Sequence, residues 1–260
     1  MSKKLGICLG AGGARGIAHV GFLQALDENH IDISVITGCS MGAIVGGLYA
    51  MGMHPKEMID YALKLKTFDI LDISAIMIKN KALLKSQKFD KILDGLFGDK
   101  LFDELIIPFS CIATDIITGK PHVFHEGLVS KAVRASATIP VAFTPVYFED
   151  KVLVDGALCN RIPVAEARDL GADVVVAVDV LAELPSANQF NNIFDVGFRS
   201  LDVMGLNINL FQEEKQKPEL LIVPQLENVS QYKVENQQFC FDRGYEIGMA
   251  NVDKIKELIK

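Results

Sequence analysis

The segment Gly38-Cys39-Ser40-Met41-Gly42 separates two stretches of different periodicity. A β-branched run at residues 33–37 precedes it, and an apolar helical pattern at residues 43–51 follows it. A serine between two glycines at a strand-to-helix corner is the sequence form of a nucleophile elbow. The glycines allow a sharp turn, and the strained serine presents its Oγ above the edge of the sheet. The segment therefore predicts an α/β fold with Ser40 as the candidate nucleophile.

The rest of the chain continues this alternation of strand and helix patterns. Runs that are apolar on both faces, such as residues 174–178, are typical of a mostly parallel sheet covered by helices. We expect a three-layer α/β/α sandwich and, because no linker or internal repeat is visible, one domain over residues 1–260. The motif-bearing core spans about 4–180, and 181–260 would complete it. Predicted strands occupy residues 4–9, 33–37, 107–116, 152–154, 173–180 and 219–223. Predicted helices occupy residues 16–29, 41–51, 55–66, 86–97, 127–137, 162–170 and 229–258.

Composition excludes several classes of protein. The 260 residues carry a net charge of −7, from 33 acidic and 26 basic side chains, which argues against nucleic acid as a partner. The five cysteines include no Cys-x-x-Cys pair, so we expect buried thiols in a reducing, cytoplasmic compartment. No apolar stretch reaches the roughly 20 residues of a membrane span, although a peripheral contact with a membrane surface stays open. No calcium loop or zinc-ligand spacing is present, so neither a metal nor a cofactor is expected.

A glycine-rich loop, Gly10-Ala11-Gly12-Gly13-Ala14-Arg15-Gly16, follows the first predicted strand. Such a loop presents bare N–H groups at a helix N-terminus, where negative charge is favoured. The G-x-G-x-x-G dinucleotide pattern is not matched, because the sixth position from Gly10 is Arg15. The alternative use is an oxyanion hole, with Gly12 and Gly13 as donors. Arg15 would either add positive charge there or anchor the loop to the sheet.

Asp155 is the candidate general base. It ends an apolar run at residues 152–154 and is followed by Gly156, at the kind of strand end where active-site residues of open α/β sheets collect. Desolvation would raise the basicity of a carboxylate that is otherwise weak, and a direct contact with Ser40 would supply proximity. A structural alternative is an Asp that only caps a turn.

A triad with histidine is a second arrangement. The usual hydrolase order of Ser, Asp and His is satisfied by Ser40, Asp115 and either His122 or His125. No histidine follows residue 125, so the later members of this set would share one short hairpin. Two further classes also stay open: a nucleotide- or acyl-phosphate-binding protein that uses the glycine loop, and a catalytically idle lipid-binding module.

Two segments fit the helical cover poorly. Residues 67–85 and 201–211 are both amphipathic, and each is either a helix packed on the core or a mobile cap over a lipid-binding cleft.

The order of the three motifs, residues 10–16, residues 38–42 and Asp155-Gly156-Ala157, resembles the patatin-like phospholipases, particularly their bacterial branch. The resemblance covers about residues 4–180. It is supported by the stretches Cys111-Ile-Ala-Thr-Asp-Ile-Ile-Thr-Gly119, Arg134-Ala-Ser-Ala-Thr-Ile-Pro140 and Asn160-Arg-Ile-Pro163.

The resemblance implies a Ser–Asp dyad in which Ser40 is the nucleophile and Asp155 the base, and an oxyanion hole from Gly12 and Gly13 with Arg15 nearby. It implies hydrolysis of lipid or other carboxylic esters through an acyl-enzyme. The motif glycines would be Gly10, Gly16, Gly38, Gly42 and Gly156. Ala11 and Ala157 replace glycines often seen in the family, and we expect these small changes to alter loop stiffness rather than chemistry.

Overall fold

The computed structural model describes most of the chain, namely residues 3–64, 81–183, 190, 193–210, 217–226, 229–234 and 236–260. The strands are β1 Leu5–Leu9, β2 Val35–Cys39, β3 Phe109–Asp115, β4 Lys120–Phe124, β5 Val146–Phe148, β6 Lys151–Asp155, β7 Val174–Val178 and β8 Leu220–Ile222. The α-helices are α1 Ile17–Glu28, α2 Met41–Ala50, α3 Pro55–Ala62, α4 Lys81–Phe97, α5 Val129–Ser136, α6 Val164–Asp169, α7 Ile193–Leu210 and α8 Gln237–Leu258.

All eight described strands belong to one sheet. Its centre is parallel: β3, β2, β1, β7 and β8 lie side by side in that order. β1 and β7 are buried along their whole length, which explains why their sequences are apolar on both faces. The predicted α/β fold with a mostly parallel central sheet is therefore confirmed.

The antiparallel strands bring two strand ends together. β4 pairs with residues 111–115 of β3, whereas β2 pairs with residues 109–112 and β6 with residues 113–115. Since β4 shares β3 residues with both β2 and β6, it occupies one edge of β3, and the other two strands lie end to end along the opposite edge. β2 runs parallel to β3 and β6 runs antiparallel to it, so their carboxyl ends meet.

Helices cover both faces of the sheet. The larger core includes side chains from α1, α2 and α8, and a smaller one on the other face lies under α6. α1 and α8 are in direct backbone contact, because a Cβ on Gly21 would lie 1.9 Å from the Phe241 carbonyl oxygen, and one on Gly244 would lie 1.9 Å from that of Ala18. None of the described helices combines the length and hydropathy that a membrane crossing requires.

Several predicted boundaries need correction. β4 and β5 were not predicted, because β4 is mostly exposed and β5 has only three residues. The helix predicted over residues 229–258 begins at Gln237, because residues 231–232 form a turn instead. Residues 201–210 are the second half of α7. Residues 67–80, the greater part of the other candidate cap, lie outside the described residues.

Candidate active site

Ser40 occupies a strained corner between β2 and α2. Its backbone angles are φ 55° and ψ −122°, which a non-glycine residue rarely adopts. The corner is tight on both sides: a Cβ on Gly38 would lie 2.4 Å from the Gly42 carbonyl oxygen, and one on Gly42 would lie 2.1 Å from that of Leu9. The Ser40 N–H donates to Ser136 Oγ at 3.0 Å. The backbone of residues 38–42 therefore makes a tight strand-to-helix turn with Ser40 at its corner.

Asp155 faces the serine from the end of β6. Cys39, the residue before Ser40, pairs with Ile112 of β3, and Asp155 pairs with the next β3 residue, Ala113. This end-to-end arrangement lets Ser40 Oγ donate a hydrogen bond of 2.6 Å to Asp155 Oδ2. The two side chains are separated by 115 positions in sequence, and both residues are 5% exposed.

The Asp155 carboxylate is more basic than an ordinary one. Burial raises its pKa to about 6, although hydrogen bonds from Ser40 Oγ, the Ala157 N–H and the Cys39 thiol act in the opposite direction. The Ala157 N–H donates to Asp155 Oδ1 at 2.9 Å, and Cys39 Sγ lies 3.9 Å from the same oxygen. Asp155 therefore caps a short turn as well, so the two interpretations of this residue are compatible.

The glycine loop, residues 10–16, borders the same space as Ser40 and Asp155. Within the described structure the N–H groups of residues 10–15 divide into two sets. Those of Gly10, Ala11, Ala14 and Arg15 donate to backbone carbonyls, whereas those of Gly12 and Gly13 have no hydrogen-bond partner. The two unpartnered amides are the ones that the sequence predicted as oxyanion donors.

The Arg15 side chain holds the loop in place. Its Nε donates to the Val229 carbonyl oxygen at 2.7 Å, and its Nη1 lies 3.3 Å from the carbonyl oxygens of Val180 and Glu183. The residue is 3% exposed. These contacts favour the interpretation in which Arg15 anchors the loop over the one in which it supplies charge to the oxyanion.

The end of α5 and the residues after it support both Ser40 and Asp155, a role that sequence reasoning missed. Ser136 Oγ accepts the Ser40 N–H, and the Thr138 carbonyl oxygen accepts the Asp155 N–H at 2.8 Å. In the sequence, residues 134–140 are connected with the site only through the family resemblance. Nothing in their composition indicates that they contact the elbow, because the contact depends on how α5 packs against the sheet.

A second missed element lies in the last third of the chain. The Ala14 N–H donates to the Gln231 carbonyl oxygen at 2.9 Å, so residues 229–232, which we call the 229–232 turn, lie against the glycine loop. Asp202 of α7 accepts hydrogen bonds from Gln231 and Tyr232. All three of these side chains border the cleft that contains Ser40.

The histidine triad receives no support from the structure. The Asp115 carboxylate accepts from the Ile117 and Val152 N–H groups and from the Thr118 hydroxyl, so it closes the turn after β3. The His122 ring packs edge-on against Phe124 of its own strand. Among the described residues no histidine is hydrogen-bonded to the dyad, whose serine donates directly to Asp155.

His19, the buried histidine near the loop, is also outside the dyad. Its Nε2 lies 2.8 Å from the Gly10 carbonyl oxygen, and its Nδ1 has no partner in the described structure, which assigns the proton to Nε2. Burial lowers the pKa of this ring to about 4, so it is neutral at neutral pH and braces the loop.

Two cavities meet at Ser40. One is a cleft of about 710 Å³, open to solvent, whose polar lining includes Arg161, Glu183 and Asp202. The other has a volume of about 970 Å³ and an almost entirely apolar lining, which includes Leu48, Met58, Phe89, Leu93 and Phe143. Ser40 and Gly13 border both. No group of three or more metal-ligating side chains occurs among the residues that the structure describes.

Known proteins share parts of this sequence. The family model described as patatin-like phospholipase matches residues 7–168. An uncharacterized NTE family protein of Mycobacterium tuberculosis is 35% identical over 179 residues, which are 69% of this chain and 49% of that protein. The lysophospholipase nte1 of Emericella nidulans is 33% identical over 181 residues, which are 68% of this chain and 12% of that protein. The chain thus spans half or less of the length of these relatives.

Two solved structures share the fold. VipD from Legionella pneumophila superposes with a TM-score of 0.64 at 14% identity, over 98% of this chain and 67% of VipD. The type III effector ExoU superposes with a TM-score of 0.50 at 16% identity, over 97% of this chain and 53% of ExoU.

Proposed function

The chain belongs to the patatin-like phospholipase family, and from that premise we propose that it is a serine hydrolase of lipid or other carboxylic esters. One observation carries the proposal. The Ser40 hydroxyl, strained by its backbone, donates to a buried carboxylate 2.6 Å away, in a cleft that also borders two unpartnered amides. This is the arrangement of an activated nucleophile, a base and an oxyanion site.

Acylation begins at Ser40. Its Oγ attacks the ester carbonyl carbon while Asp155 Oδ2 accepts the hydroxyl proton, and the carbonyl π electrons move to the oxygen, which becomes an oxyanion. When the oxyanion collapses, the bond to the leaving alcohol breaks and the alkoxide takes the proton from Asp155. The products are a free alcohol and an ester of Ser40.

Deacylation repeats these steps with water. Asp155 accepts a proton from water, whose oxygen attacks the acyl carbon, and the released Ser40 alkoxide recovers that proton. A pKa of about 6 suits a base that must be mostly ionised near neutral pH yet strong enough to share a proton. No metal or redox cofactor is needed to balance either half-reaction.

The amides of Gly12 and Gly13 are proposed to stabilise the oxyanion. They border the cleft beside Ser40 and have no other hydrogen-bond partner in the described structure, so an oxyanion would not have to displace an existing bond. Preorganised donors of this kind contribute on the order of 3 kcal/mol each to lowering the barrier.

The two cavities suggest how the substrate is divided. We assign the acyl chain to the apolar cavity, because each methylene that it buries contributes about 0.8 kcal/mol. The leaving alcohol, which includes the head group of a lipid, would then lie in the polar cleft. Esters with longer acyl chains should accordingly be preferred over acetate.

A lipid surface is the proposed source of such substrates. α7 borders the cleft through Leu201 and Asp202, and the apolar side chains Ile193, Val203 and Met204 of the same helix are exposed. We propose that this exposed face contacts the membrane peripherally.

Met204→Asp should lower co-flotation with phosphatidylcholine vesicles and leave hydrolysis of a water-soluble ester unchanged. Equal flotation of both proteins would contradict the contact.

The central experiment compares hydrolysis of p-nitrophenyl esters, from acetate to palmitate, and of phospholipid vesicles. Ser40→Ala should abolish turnover and fluorophosphonate labelling, because Ser40 Oγ is the group that takes the acyl chain in this mechanism. Ser110→Ala is the matched control, since Ser110 is also buried and its hydroxyl has no hydrogen-bond partner among the residues that the structure describes. His122→Ala and His125→Ala should stay near wild-type activity. Labelling that survives Ser40→Ala, or a dead histidine variant, would overturn the assignment.

The nucleotide-binding alternative is testable in the same preparation. The cleft beside the glycine loop is lined by the carboxylates of Asp155, Glu183 and Asp202 and by the Arg161 guanidinium, so its acidic groups outnumber the basic one and would repel a phosphate group. Isothermal titration with NAD and with ATP should therefore show no heat of binding.

A further inference from the structure

The 229–232 turn supports the glycine loop at three consecutive residues. The Ala14 N–H donates to the Gln231 carbonyl oxygen, and Arg15 Nε donates to the Val229 carbonyl oxygen. Gly13 has φ +51°, and a Cβ at that position would lie 2.3 Å from the same Gln231 oxygen. The loop and the turn are therefore in backbone contact directly beside the two unpartnered amides.

The turn is held in its own place by α7. Asp202 Oδ1 accepts hydrogen bonds of 2.5 Å from both Gln231 Nε2 and the Tyr232 hydroxyl. The Tyr232 ring also packs on Phe198, one helical turn before Asp202, with 4.9 Å between ring centroids. Burial, and then the neighbouring carboxylate, raise the pKa of Tyr232, so its hydroxyl keeps the proton that it donates.

We propose that Asp202 is a positioning residue for the oxyanion site. Through Gln231 and Tyr232 it fixes the 229–232 turn, and the turn fixes the glycine loop so that the Gly12 and Gly13 amides face Ser40. The proposal rests on the proposed function, in which those two amides stabilise the oxyanion.

Glycine loops do not hold their own shape. Each of the glycines in residues 10–16 has a wide choice of backbone angles, so a defined loop needs external contacts. Hydrogen bonds to a partly buried carboxylate are stronger than those between neutral groups, and two donors on one oxygen remove the freedom of two side chains. Asp202 thus restricts the turn with a single group.

The test uses the full chain and two independent measurements. Hydrogen–deuterium exchange of peptides covering residues 10–16 reports the loop directly, without reference to activity. The kcat and KM for p-nitrophenyl butyrate, and the inhibition constant of an alkyl trifluoromethyl ketone, report the oxyanion site. That ketone forms a tetrahedral adduct with a serine and carries the charge that the amides would bind.

Four variants separate positioning from general damage. Asp202→Ala should speed hydrogen exchange of the loop and lower kcat about 30-fold, with KM within twofold of wild type. The inhibition constant of the trifluoromethyl ketone should rise by a similar factor. Asp202→Asn keeps an acceptor oxygen for both donors and should return all three values to within about threefold of wild type. Tyr232→Phe keeps the ring on Phe198 and should give intermediate values. Asn207→Ala, an exposed position on the same helix, is the control and should match wild type.

Each contrary result is decisive. If the loop of Asp202→Ala exchanges at the wild-type rate, Asp202 does not hold the loop. If it exchanges faster but kcat is unchanged, holding the loop does not contribute to catalysis. A rise in KM alone would identify Asp202 as a substrate contact instead. If Asp202→Ala does not fold, Asp202→Asn and Tyr232→Phe decide the question. A complete loss of activity in Asp202→Asn, or wild-type values in Tyr232→Phe, would refute the proposal. If the wild type neither hydrolyses esters nor reacts with a fluorophosphonate, the proposed function fails, while the exchange data still decide whether Asp202 holds the loop.

Discussion

The elbow and the glycine loop are adjacent halves of one site, but they are held in different ways. The elbow is stabilised by close backbone contacts of Gly38 within its own segment and of Gly42 with Leu9 of the adjacent strand, and by a hydrogen bond to Ser136. The glycine loop depends on groups about 160 to 220 positions away: the carbonyls of Val180, Val229 and Gln231, and through the last of these the carboxylate of Asp202.

This difference separates two requirements of acyl transfer. A nucleophile must be aimed, and a strained local backbone does that with few residues. An oxyanion site must be preorganised, which requires that flexible amides be restrained from outside. The substitutions below test each half, in order of expected effect.

The largest effect is expected on the elbow side, from Asp155→Asn. The amide accepts a hydrogen bond from Ser40 but is not a base at neutral pH, so ester hydrolysis should fall about 10³-fold while circular dichroism stays native. Steady-state kinetics with p-nitrophenyl esters measures this loss. A variant that retains a tenth of the activity would show that Asp155 is not the base.

Gly13→Ala tests the loop side and should lower kcat about 10²-fold, the effect of losing one oxyanion donor. The added Cβ would lie 2.3 Å from the Gln231 carbonyl oxygen, so the loop and the 229–232 turn must separate. Gly98→Ala is the matched control, because Gly98 has a similar φ of +56° and open space around it. Equal losses in the two variants would mean that backbone strain alone, not the contact with the turn, explains the result.

Ser136→Ala tests how much the elbow depends on the hydrogen bond from the Ser40 N–H to Ser136 Oγ. The Ser40 N–H would lose its acceptor, and we expect about a tenfold fall in kcat from misplacement of the nucleophile. Ser86→Ala is the matched control. It also removes a buried hydroxyl that accepts a backbone N–H, that of Thr144, but Ser86 lines neither cavity and is distant in sequence from Ser40 and Asp155. Both variants should lose similar thermal stability, and only Ser136→Ala should lose activity. Equal activity in the two variants would show that the contact with Ser136 at the end of α5 does not position the nucleophile.

The smallest effect is a gain in stability from Asp155→Asn. Because burial raises the pKa of Asp155 to about 6, the folded state binds this proton more tightly than the unfolded state, and the wild type loses stability as the pH rises from about 4 to 6. The penalty persists above pH 6 and is on the order of 2–3 kcal/mol. The variant lacks this titration, so its advantage in thermal midpoint should grow between pH 4 and pH 6 and reach about 5 °C at pH 8. A constant difference across that range would contradict a raised pKa.

The parts of the fold that follow local rules were predictable from the sequence. Strands such as residues 174–178 are apolar on both faces because they are central, and the corner at Ser40 requires glycines on both sides whatever surrounds it. The pairing of Ser40 with Asp155 could be suspected because both follow buried strands. The geometry of this pair could not be predicted, because it depends on β2 and β6 meeting end to end along β3. Composition does not encode that register.

The restraints on the glycine loop were not predictable for the same reason. Gln231 and Asp202 are ordinary polar residues in their own segments, and residues 229–236 even continue a helical pattern. Only their contacts with each other and with Ala14 give them a role. The expectation that residues 181–260 complete one domain stays a prediction, supported by the backbone contact between α1 and α8.

The Cys39 thiol and the Ser40 hydroxyl are two candidate nucleophiles on consecutive residues. Its thiol immediately precedes Ser40, yet burial and then the charge of Asp155 raise its pKa well above the ordinary value. Since only a thiolate is reactive, we expect this sulfur to stay inert beside the Ser40 hydroxyl, which donates to Asp155. Maleimides and mild oxidants should therefore modify the partly exposed Cys159 first and spare turnover, so that inhibitors aimed at this centre can be selected in the presence of thiol-blocking reagents.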